Sequence, residues 1–441
     1  MKSLLAAYIL MPFFFIAGCA ISFLCRYLYT MKQPKPRLVW GSTPLINYVY
    51  WSRAMKHAGF FSQTFTYNPY PIYIGEDWDI ILSKKYGNIP TFAKMILAFF
   101  EAMVRYDVFF LSFDGFFLGS TPYWWMEGVF LKLAKKKTVL IPYGADAYVY
   151  REIRSVSAMH GLLLSYPQHA KRQEKIARRV SFWCSKADVV IPGFMGPDGF
   201  GRWDVLVPSP LCIDTTVWHP SVKRNFADGQ TGTVFIAHAP NHRGCKGTEF
   251  ILEAIQSLKA EGLSVELILI EKKKNSEVKS ILQNQADILV DQLILPGYAM
   301  NALEGLACGL PVVCNLDDDS LQLFRRWSYL SECPIVSANP ETIVNVLRRL
   351  VVSPKIREQL GKASREYVEK YHSLESAQYM FSMVIDYLYG RIDYQTLINL
   401  YNPRISEYCR RRTKLDTPRV CYALLALSAV RLEYDTQSLP E

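Results

Sequence analysis

The stretch HAPNHRGCKGTEFILEAI (238–255) decides how this chain is read. It continues from TVFIAHA (233–239), a run of β-branched and apolar residues with the character of a strand. A loop follows with Asn241, His242, Arg243, Gly244, Lys246 and Gly247, and a helix begins at Thr248, the candidate N-cap. Phe250, Ile251, Ala254, Ile255 and Leu258 recur at the spacing of one helix face. A helix N-terminus carries unpaired backbone N–H groups and partial positive charge, so with Arg243 and Lys246 beside it the loop suits a diphosphate. A solvated basic turn fits the same residues equally well.

The alternation continues downstream. VELILI (265–270) reads as a strand, a helix follows with Val278, Ile281 and Leu282, and ADILVDQLIL (286–295) reads as the next strand before a helix over 299–308 and the strand PVVCN (311–315). Upstream, the strand candidates are RLVW (37–40), DIIL (79–82), VFFLSF (108–113), TVLIPYG (138–144), ADVVIPG (187–193) and DVLVPSP (204–210). Helical stretches lie between them near 44–58, 91–105, 121–135 and 168–185. Short apolar runs separated by helices predict βαβ units with buried parallel sheets. The fold class is therefore α/β, with two Rossmann-like doubly wound domains facing a cleft, and ligands belong at the carboxyl ends of the strands. The expected organisation is an anchor and linker over 1–35, a first domain over 36–218, a second over 219–390 with its closing helices 355–371 and 374–390, and a basic tail over 391–441.

Composition narrows the class. The 441 residues are 50% hydrophobic with Gly and Pro at 24 each, which excludes collagen, low-complexity disorder and a disulfide mini-protein. Only Ser3–Cys25 is long and apolar enough to cross a bilayer, so a polytopic transporter is excluded too. Lys2 precedes that segment and Arg26, Lys32, Lys35 and Arg37 follow it, which by the positive-inside bias predicts a single-pass transmembrane helix with the domains in the cytoplasm, at the inner membrane. A cleaved signal peptide, or a lipoprotein signal at Ile16-Ala17-Gly18-Cys19, is the competing reading. The ten cysteines show no C-x-x-C and no zinc spacing, and read as free thiols.

A second stretch, ADILVDQLILPGYAMNALEGLACGLPVVCN (286–315), makes a family resemblance specific. Together with Lys246-Gly247, with Glu304, Ala307, Gly309, Pro311, Val312 and Val313, and with PLCIDTTVWHP (210–220), it resembles the GT-B glycosyltransferases of the retaining family four type. The similarity covers 36–390, is strongest over 205–315, and is greatest to a branch of bacterial polysaccharide and lipopolysaccharide enzymes. What it implies is a retaining, metal-independent hexosyltransferase that moves a sugar from a nucleotide-diphosphate sugar to a lipid-linked glycan. The donor is a substrate, with no cofactor and no nucleic acid involved.

The resemblance also assigns roles. Glu304 would accept hydrogen bonds from the ribose hydroxyls; Arg243 and Lys246 would hold the diphosphate and stabilise it as it leaves. Backbone amides from Gly297 through Tyr298 and Ala299 to Met300 would meet the phosphates from the other side. Three departures stand out: Pro296 occupies the place of a sugar-contacting glutamate, Asn241 that of the first basic residue, and Tyr143 that of a histidine in a His-Gly-x-Asp type loop. In PYGADAYVYR (142–151) Asp146 is the candidate acceptor or sugar contact, with Asp114 in DGFFLGSTPYWW (114–125) the alternative base; helix capping explains either as well. Gly41, after the first strand, is placed to approach phosphates or simply to make a turn. His238 and His242 are weaker phosphate candidates. Asp317-Asp318-Asp319 resembles a metal-binding D-x-D but reads better as a cap. The basic helix with Lys171, Arg172, Lys175, Arg178 and Arg179, and the run Arg410–Arg412 before VCYALLALSAV, are equally lipid-facing or plainly solvated. A non-catalytic scaffold in a polysaccharide assembly complex and a GT-B sugar-nucleotide epimerase are the alternatives.

Overall fold

The computed structural model describes residues 9–28, 35–70, 78–221, 225–317 and 319–411. Lys2, Lys32, Arg224, Asp318, Arg412 and the apolar run of the tail lie outside them. The described residues form two compact units. Unit 1 is drawn from Met1–Glu152, Arg172–Val205 and Ala377–Ile398, and unit 2 from Ile153–Lys171, Leu206–Ser376 and Asn399–Glu441.

Unit 1 starts with helix α1 (Met11–Leu28) and contains β1 (Leu38–Trp40), α2 (Ile46–His57), β2 (Ser62–Thr66), β3 (Ile80–Ile81), α3 (Leu82–Tyr86), α4 (Thr91–Arg105), β4 (Val108–Leu111), α5 (Trp124–Leu133) and β5 (Lys137–Leu140). Its strands, with β6 further on, make one six-stranded sheet in the order β3-β2-β1-β4-β5-β6, and every pairing is parallel. Helices cover both faces, which is why β4 is buried at every residue and reads as a continuous apolar run. Trp40 stacks on Phe110 at 3.7 Å and meets the edge of Phe381 at 4.9 Å.

Strand β2, SQTFT, is absent from the sequence reading because it lacks an apolar run. Its polar side chains are buried by being paired: Trp40 Nε1 donates to Ser62 Oγ at 2.8 Å, and Thr66 Oγ1 donates to the Ser42 carbonyl at 2.8 Å. Conversely, DVLVPSP (204–210) forms no strand. Asp204 instead accepts the Val190 N–H at 2.7 Å, and Pro208 and Pro210 cannot donate to a ladder.

Helix α6 (Val156–Ser165) belongs to unit 2, although the sequence reading placed its residues in the first domain. It packs on the 243–247 loop, where the Cys245 N–H donates to Ser165 Oγ at 2.9 Å and Cys245 Sγ to the Gly161 carbonyl at 3.3 Å. A Cβ on Gly244 would lie 2.9 Å from Leu164 Cβ, so the approach depends on that glycine. The chain then runs through α7 (Pro167–Ala170), α8 (Gln173–Lys186) and β6 (Val189–Val190).

The rest of unit 2 comprises β7 (Val234–His238), α9 (Arg243–Lys246), α10 (Thr248–Ala260), β8 (Val265–Leu269), α11 (Asn275–Asn284), β9 (Ile288–Val290), α12 (Met300–Ala307), β10 (Val312–Cys314), α13 (Asp319–Trp327), β11 (Val336–Ser337), α14 (Ile343–Val352) and α15 (Pro354–Tyr371). Its parallel sheet has the order β11-β10-β9-β7-β8. The chain passes from β7 outward to β8 and then back to β9 on the other side of β7, which places a topological switch point between β7 and β9. Helix α16 (Leu374–Leu388), expected to close the second domain, belongs from Ala377 onward to unit 1, as does α17 (Tyr394–Ile398), while α18 (Glu407–Arg411) is part of unit 2.

The N-terminal expectation needs correction. Among the described residues no helix is long and apolar enough to cross a membrane. Helix α1 is instead packed along one face on unit 1: Phe14 stacks on Tyr123 at 4.2 Å, Gly18 lies against the Phe130 ring, and Cys25 is buried. One face of the apolar stretch that suggested a span serves here as part of a domain core, and residues 3–8 of that stretch lie outside the described residues.

Two stability predictions follow from this packing. A Cβ at Gly305 of α12 would stand 2.4 Å from Leu289 Cδ2, so Gly305→Ala overpacks the helix against β9 and is expected to cost about 1–3 kcal/mol, read as a lower denaturation midpoint at unchanged m. His238 is fully buried, with Nδ1–H donating to the Val290 carbonyl at 2.8 Å and Nε2 accepting from Thr248 Oγ1 at 2.9 Å. Burial holds its pKa down to about 4, below the ordinary value of about 6.5, so the unfolded chain binds the extra proton. The stability this gives is complete above about pH 6.5 and is lost as pH falls through about 4. His238→Gln should therefore be less stable at neutral pH yet show a shallower loss of melting temperature between those limits.

Candidate functional site

In unit 2 the loops after β7, β9 and β10 gather at the carboxyl ends of those strands. Their centre is Lys246, buried, whose ammonium forms an ion pair with the buried carboxylate of Asp291 and donates to Gln292 Oε1 at 3.0 Å. Burial alone would raise the Asp291 pKa, but the Lys246 charge and hydrogen bond outweigh it and hold the carboxyl below its ordinary range. Asn301 Nδ2 adds a contact to Asp291 at 3.3 Å. Gln292 Nε2 donates to the carbonyls of Leu295 at 3.1 Å and Gly297 at 2.9 Å, and the Gly297 N–H donates to the Asn315 carbonyl at 2.8 Å. Residues 291–299 are thus a pinned loop, where the sequence reading extended the strand to Leu295.

Thr248 is the first residue of α10 rather than its cap; Gly247, with φ of 71°, turns the chain between α9 and α10 in a conformation that favours glycine. Arg243 does not join Lys246. It stands exposed, with Nε and Nη2 on the two carboxylate oxygens of Glu271 at 2.9 and 3.2 Å and Nη1 on Glu249 at 3.0 Å. His238 is spent inside the fold, and the His242 ring lies over Tyr166 at 4.3 Å.

Glu304 sits half-buried on α12, and among the described residues its carboxylate has no hydrogen-bond partner. Burial, reinforced by the nearby Asp291 charge, pushes its pKa up to about 8 against the pull of Lys246. No side chain caps the N-terminus of α12 at Ala299, so the first-turn amides beginning at Met300 keep their donor capacity. Of the four residues expected to offer amides, Gly297 has its N–H bonded to Asn315, and the Tyr298 hydroxyl is buried against the Tyr367 hydroxyl at 2.8 Å and His372 Nε2 at 3.0 Å.

In unit 1 the loops after β1, β4 and β5 also meet at carboxyl strand ends. Asp146 is buried and accepts three backbone N–H groups, from Phe113 at 2.9 Å and from Tyr143 and Gly144 at 3.0 Å each. Burial and the neighbouring Asp114 raise its pKa to about 7. It clips two loops together, and its acceptor sites are occupied. Asp114 is the more accessible carboxylate: Arg179 Nη1 donates to Oδ1 at 2.7 Å and the Tyr143 hydroxyl to Oδ2 at 2.8 Å. Arg179, expected on a solvated or lipid-facing helix surface, is therefore turned inward. The Gly41 N–H donates to the Phe110 carbonyl at 3.2 Å and a Cβ there would lie 2.1 Å from the Phe65 carbonyl, so this turn belongs to the packing of β1.

The residues missed from sequence are the supporting ones. Asp291, Gln292, Asn301 and Asn315 complete the polar cluster around Lys246. Glu127, wholly buried, accepts the Phe116 N–H and the Gly119 N–H at 3.1 Å and so shapes the Asp114 loop. Burial raises its pKa to about 8. Their only sequence signal was polarity inside an apolar stretch. Asp319 opens α13, and among the described residues no three His, Cys, Asp or Glu side chains gather as a metal site.

No curated protein matches the sequence. Among solved structures, the chain is similar to the sucrose-phosphate synthase of Thermosynechococcus elongatus, at 14% identity and a TM-score of 0.55 over 81% of this chain and 100% of that one. It is also similar to the Anabaena protein HepE in complex with UDP and glucose, at 10% identity and a TM-score of 0.51 over 80% of this chain and 100% of that one. At those identities the likeness speaks for the fold: two parallel-sheet α/β domains matching GT-B neighbours. Residues 246–367, which include both Lys246 and Glu304, match the family described as glycosyl transferases group 1, and the chain carries a domain of that kind.

Proposed function

We propose that this protein is a glycosyltransferase that moves a sugar from a nucleoside-diphosphate sugar to a glycan, lipid-linked, in cell-surface polysaccharide synthesis. The observation that carries the reading is Glu304, a half-buried carboxyl with no partner among the described residues, on a helix whose N-terminus is uncapped, close to the buried Lys246. Such a group gains most from hydroxyl donors, and two adjacent ribose hydroxyls offer them in the geometry a carboxyl can take. The HepE complexes with UDP and with UDP-glucose support the choice of nucleotide class.

On this reading Lys246 and the first-turn amides of α12 meet the diphosphate. As the bond from the anomeric carbon to the diphosphate oxygen breaks, negative charge grows on the leaving group, and a dry ammonium already in place stabilises it without reorganising water. The transfer is retaining and needs no metal on this account. Arg243 has a smaller share, since it stands exposed, where solvent screens its charge, and carries Glu249 and Glu271 beside it. Asp114, aligned by Arg179 and Tyr143, is the carboxylate assigned to the acceptor.

Calorimetric titration of the purified protein with UDP and other nucleoside diphosphates tests the donor site. Binding should weaken at least about tenfold in Glu304→Ala and less than about threefold in Arg243→Ala. Lys246→Ala should abolish it, but leaves Asp291 buried without its counter-charge, at a cost of about 3–5 kcal/mol, so Glu304→Ala is the decisive variant. Absence of nucleotide binding by the native protein would overturn the reading. Asp114→Asn should keep nucleotide affinity while lowering kcat about 100-fold or more; binding with no turnover on any acceptor would instead favour the scaffold.

A further inference from the structure

Helix α1 is apolar on the face it turns toward unit 1 and equally apolar on the face it turns away. Phe14, Gly18, Ser22 and Cys25, spaced three and four apart, lie on the unit; Ser22 Oγ donates to the Gly18 carbonyl at 2.7 Å, so its one hydroxyl is also satisfied within the helix. Phe13, Ile16, Phe23, Leu24 and Tyr27 form the opposite stripe, with Leu10 exposed just before the helix, Phe13 exposed at 71% and Ile16 at 67%. A helix that is apolar all round needs cover all round, and among the described residues only half of this one has it.

The uncovered surface extends beyond α1. On one side α4 exposes Leu97 and Val104, next to Phe100, whose ring meets Phe14 at 5.9 Å. On the other, Trp125 of α5 is exposed and meets Phe15 at 5.9 Å. Positive charge borders this surface: Arg26 lies in the last turn of α1 and Lys132 in the last turn of α5, with Lys135 exposed just beyond it. There is no acidic residue in α1, and Glu101 of α4 is already paired with Lys85 and Arg105, so α1 and α4 of a second copy would offer that rim no uncommitted counter-charge.

We propose that α1 is an in-plane membrane seat: its outer stripe, with the flanking side chains of α4 and α5, is immersed in one leaflet of an anionic bilayer while its inner stripe remains part of unit 1. Apolar burial supplies the attachment, the aromatic Trp125 and Tyr27 suit the headgroup boundary, and the cationic rim meets lipid phosphate. The helix does not cross, because crossing would strip Phe14, Gly18 and Cys25 from the core they pack in. The two ends of α1 therefore lie on the same side of the bilayer. This inference stands on α1 and is independent of the transferase reading.

Two measurements on the full chain test it. After detergent removal in the presence of sealed phosphatidylcholine vesicles holding about one-third phosphatidylglycerol, the protein should float with the vesicles, and binding should fall at least about fivefold on pure phosphatidylcholine. Ile16→Asp combined with Phe23→Asp should leave it unbound, and Arg26→Glu combined with Lys132→Glu should remove the preference for anionic lipid. The second pair lies at the surface and guards against misfolding of the first. A protease added outside intact vesicles should remove a tag from the N-terminus. Protection of that tag would overturn the in-plane arrangement in favour of a span. Retained flotation by both variants, or a lipid-indifferent dimer, would overturn the membrane seat, whatever nucleotide titration shows.

Discussion

A lysine and an aspartate held out of water at the carboxyl ends of β7 and β9 set the geometry on which the rest of unit 2 depends. Buried ions are tolerated when their remaining bonding capacity is filled, and here Gln292 and Asn301 fill it. The consequences reach further than the pair. Gln292, once fixed by Lys246, holds the carbonyls of Leu295 and Gly297, so the loop that precedes α12 has its path set. The charge of Asp291 is in turn one of the reasons that the Glu304 carboxyl titrates so high. One ion pair thus places a cation, shapes the loop beside it and tunes the carboxyl on the next helix.

Unit 1 fixes its loops by a related device in which backbone amides replace the cation. Asp146 gathers three N–H groups from the loops after β4 and β5, and Glu127 gathers N–H groups from 116–119. Both carboxyls are buried and both have raised pKa values, a combination that often marks a catalytic group. Their occupied acceptor sites argue otherwise. Asp114 differs because its partners are side chains at a partly exposed position, Arg179 and Tyr143. The departure that puts a tyrosine where the resemblance implies a histidine therefore has a physical role: its hydroxyl orients the accessible carboxylate.

Much was legible from sequence where the signal was local. Burial on both faces gives β4 and β9 their uninterrupted apolar runs, and the 3.6-residue period placed α10 and α12. The family resemblance singled out Lys246 and Glu304, two residues close enough to interact electrostatically. Strand β2 escaped notice because its hydroxyls are satisfied by Trp40 and the Ser42 carbonyl, contacts made across the sheet rather than along it. The run after Val290 was read as strand because Leu293, Ile294 and Leu295 are apolar; what ends the strand is Asp291 turning to Lys246.

By itself the sequence determined two parallel α/β domains, the loop that carries Lys246, the helix that carries Glu304, and an N-terminal helix rich in apolar side chains. Each rests on periodicity or spacing within a few dozen residues. Only the tertiary structure decided which charges meet. Arg243 takes Glu271, 28 residues away, and Lys246 takes Asp291, 45 away, so two cations three residues apart have opposite fates, one at the surface and one in the core. It also decided that half of α1 belongs to unit 1. Strand order and helix docking bring those partners together through space, and a one-dimensional pattern of apolar and charged residues carries no record of which face will find which neighbour.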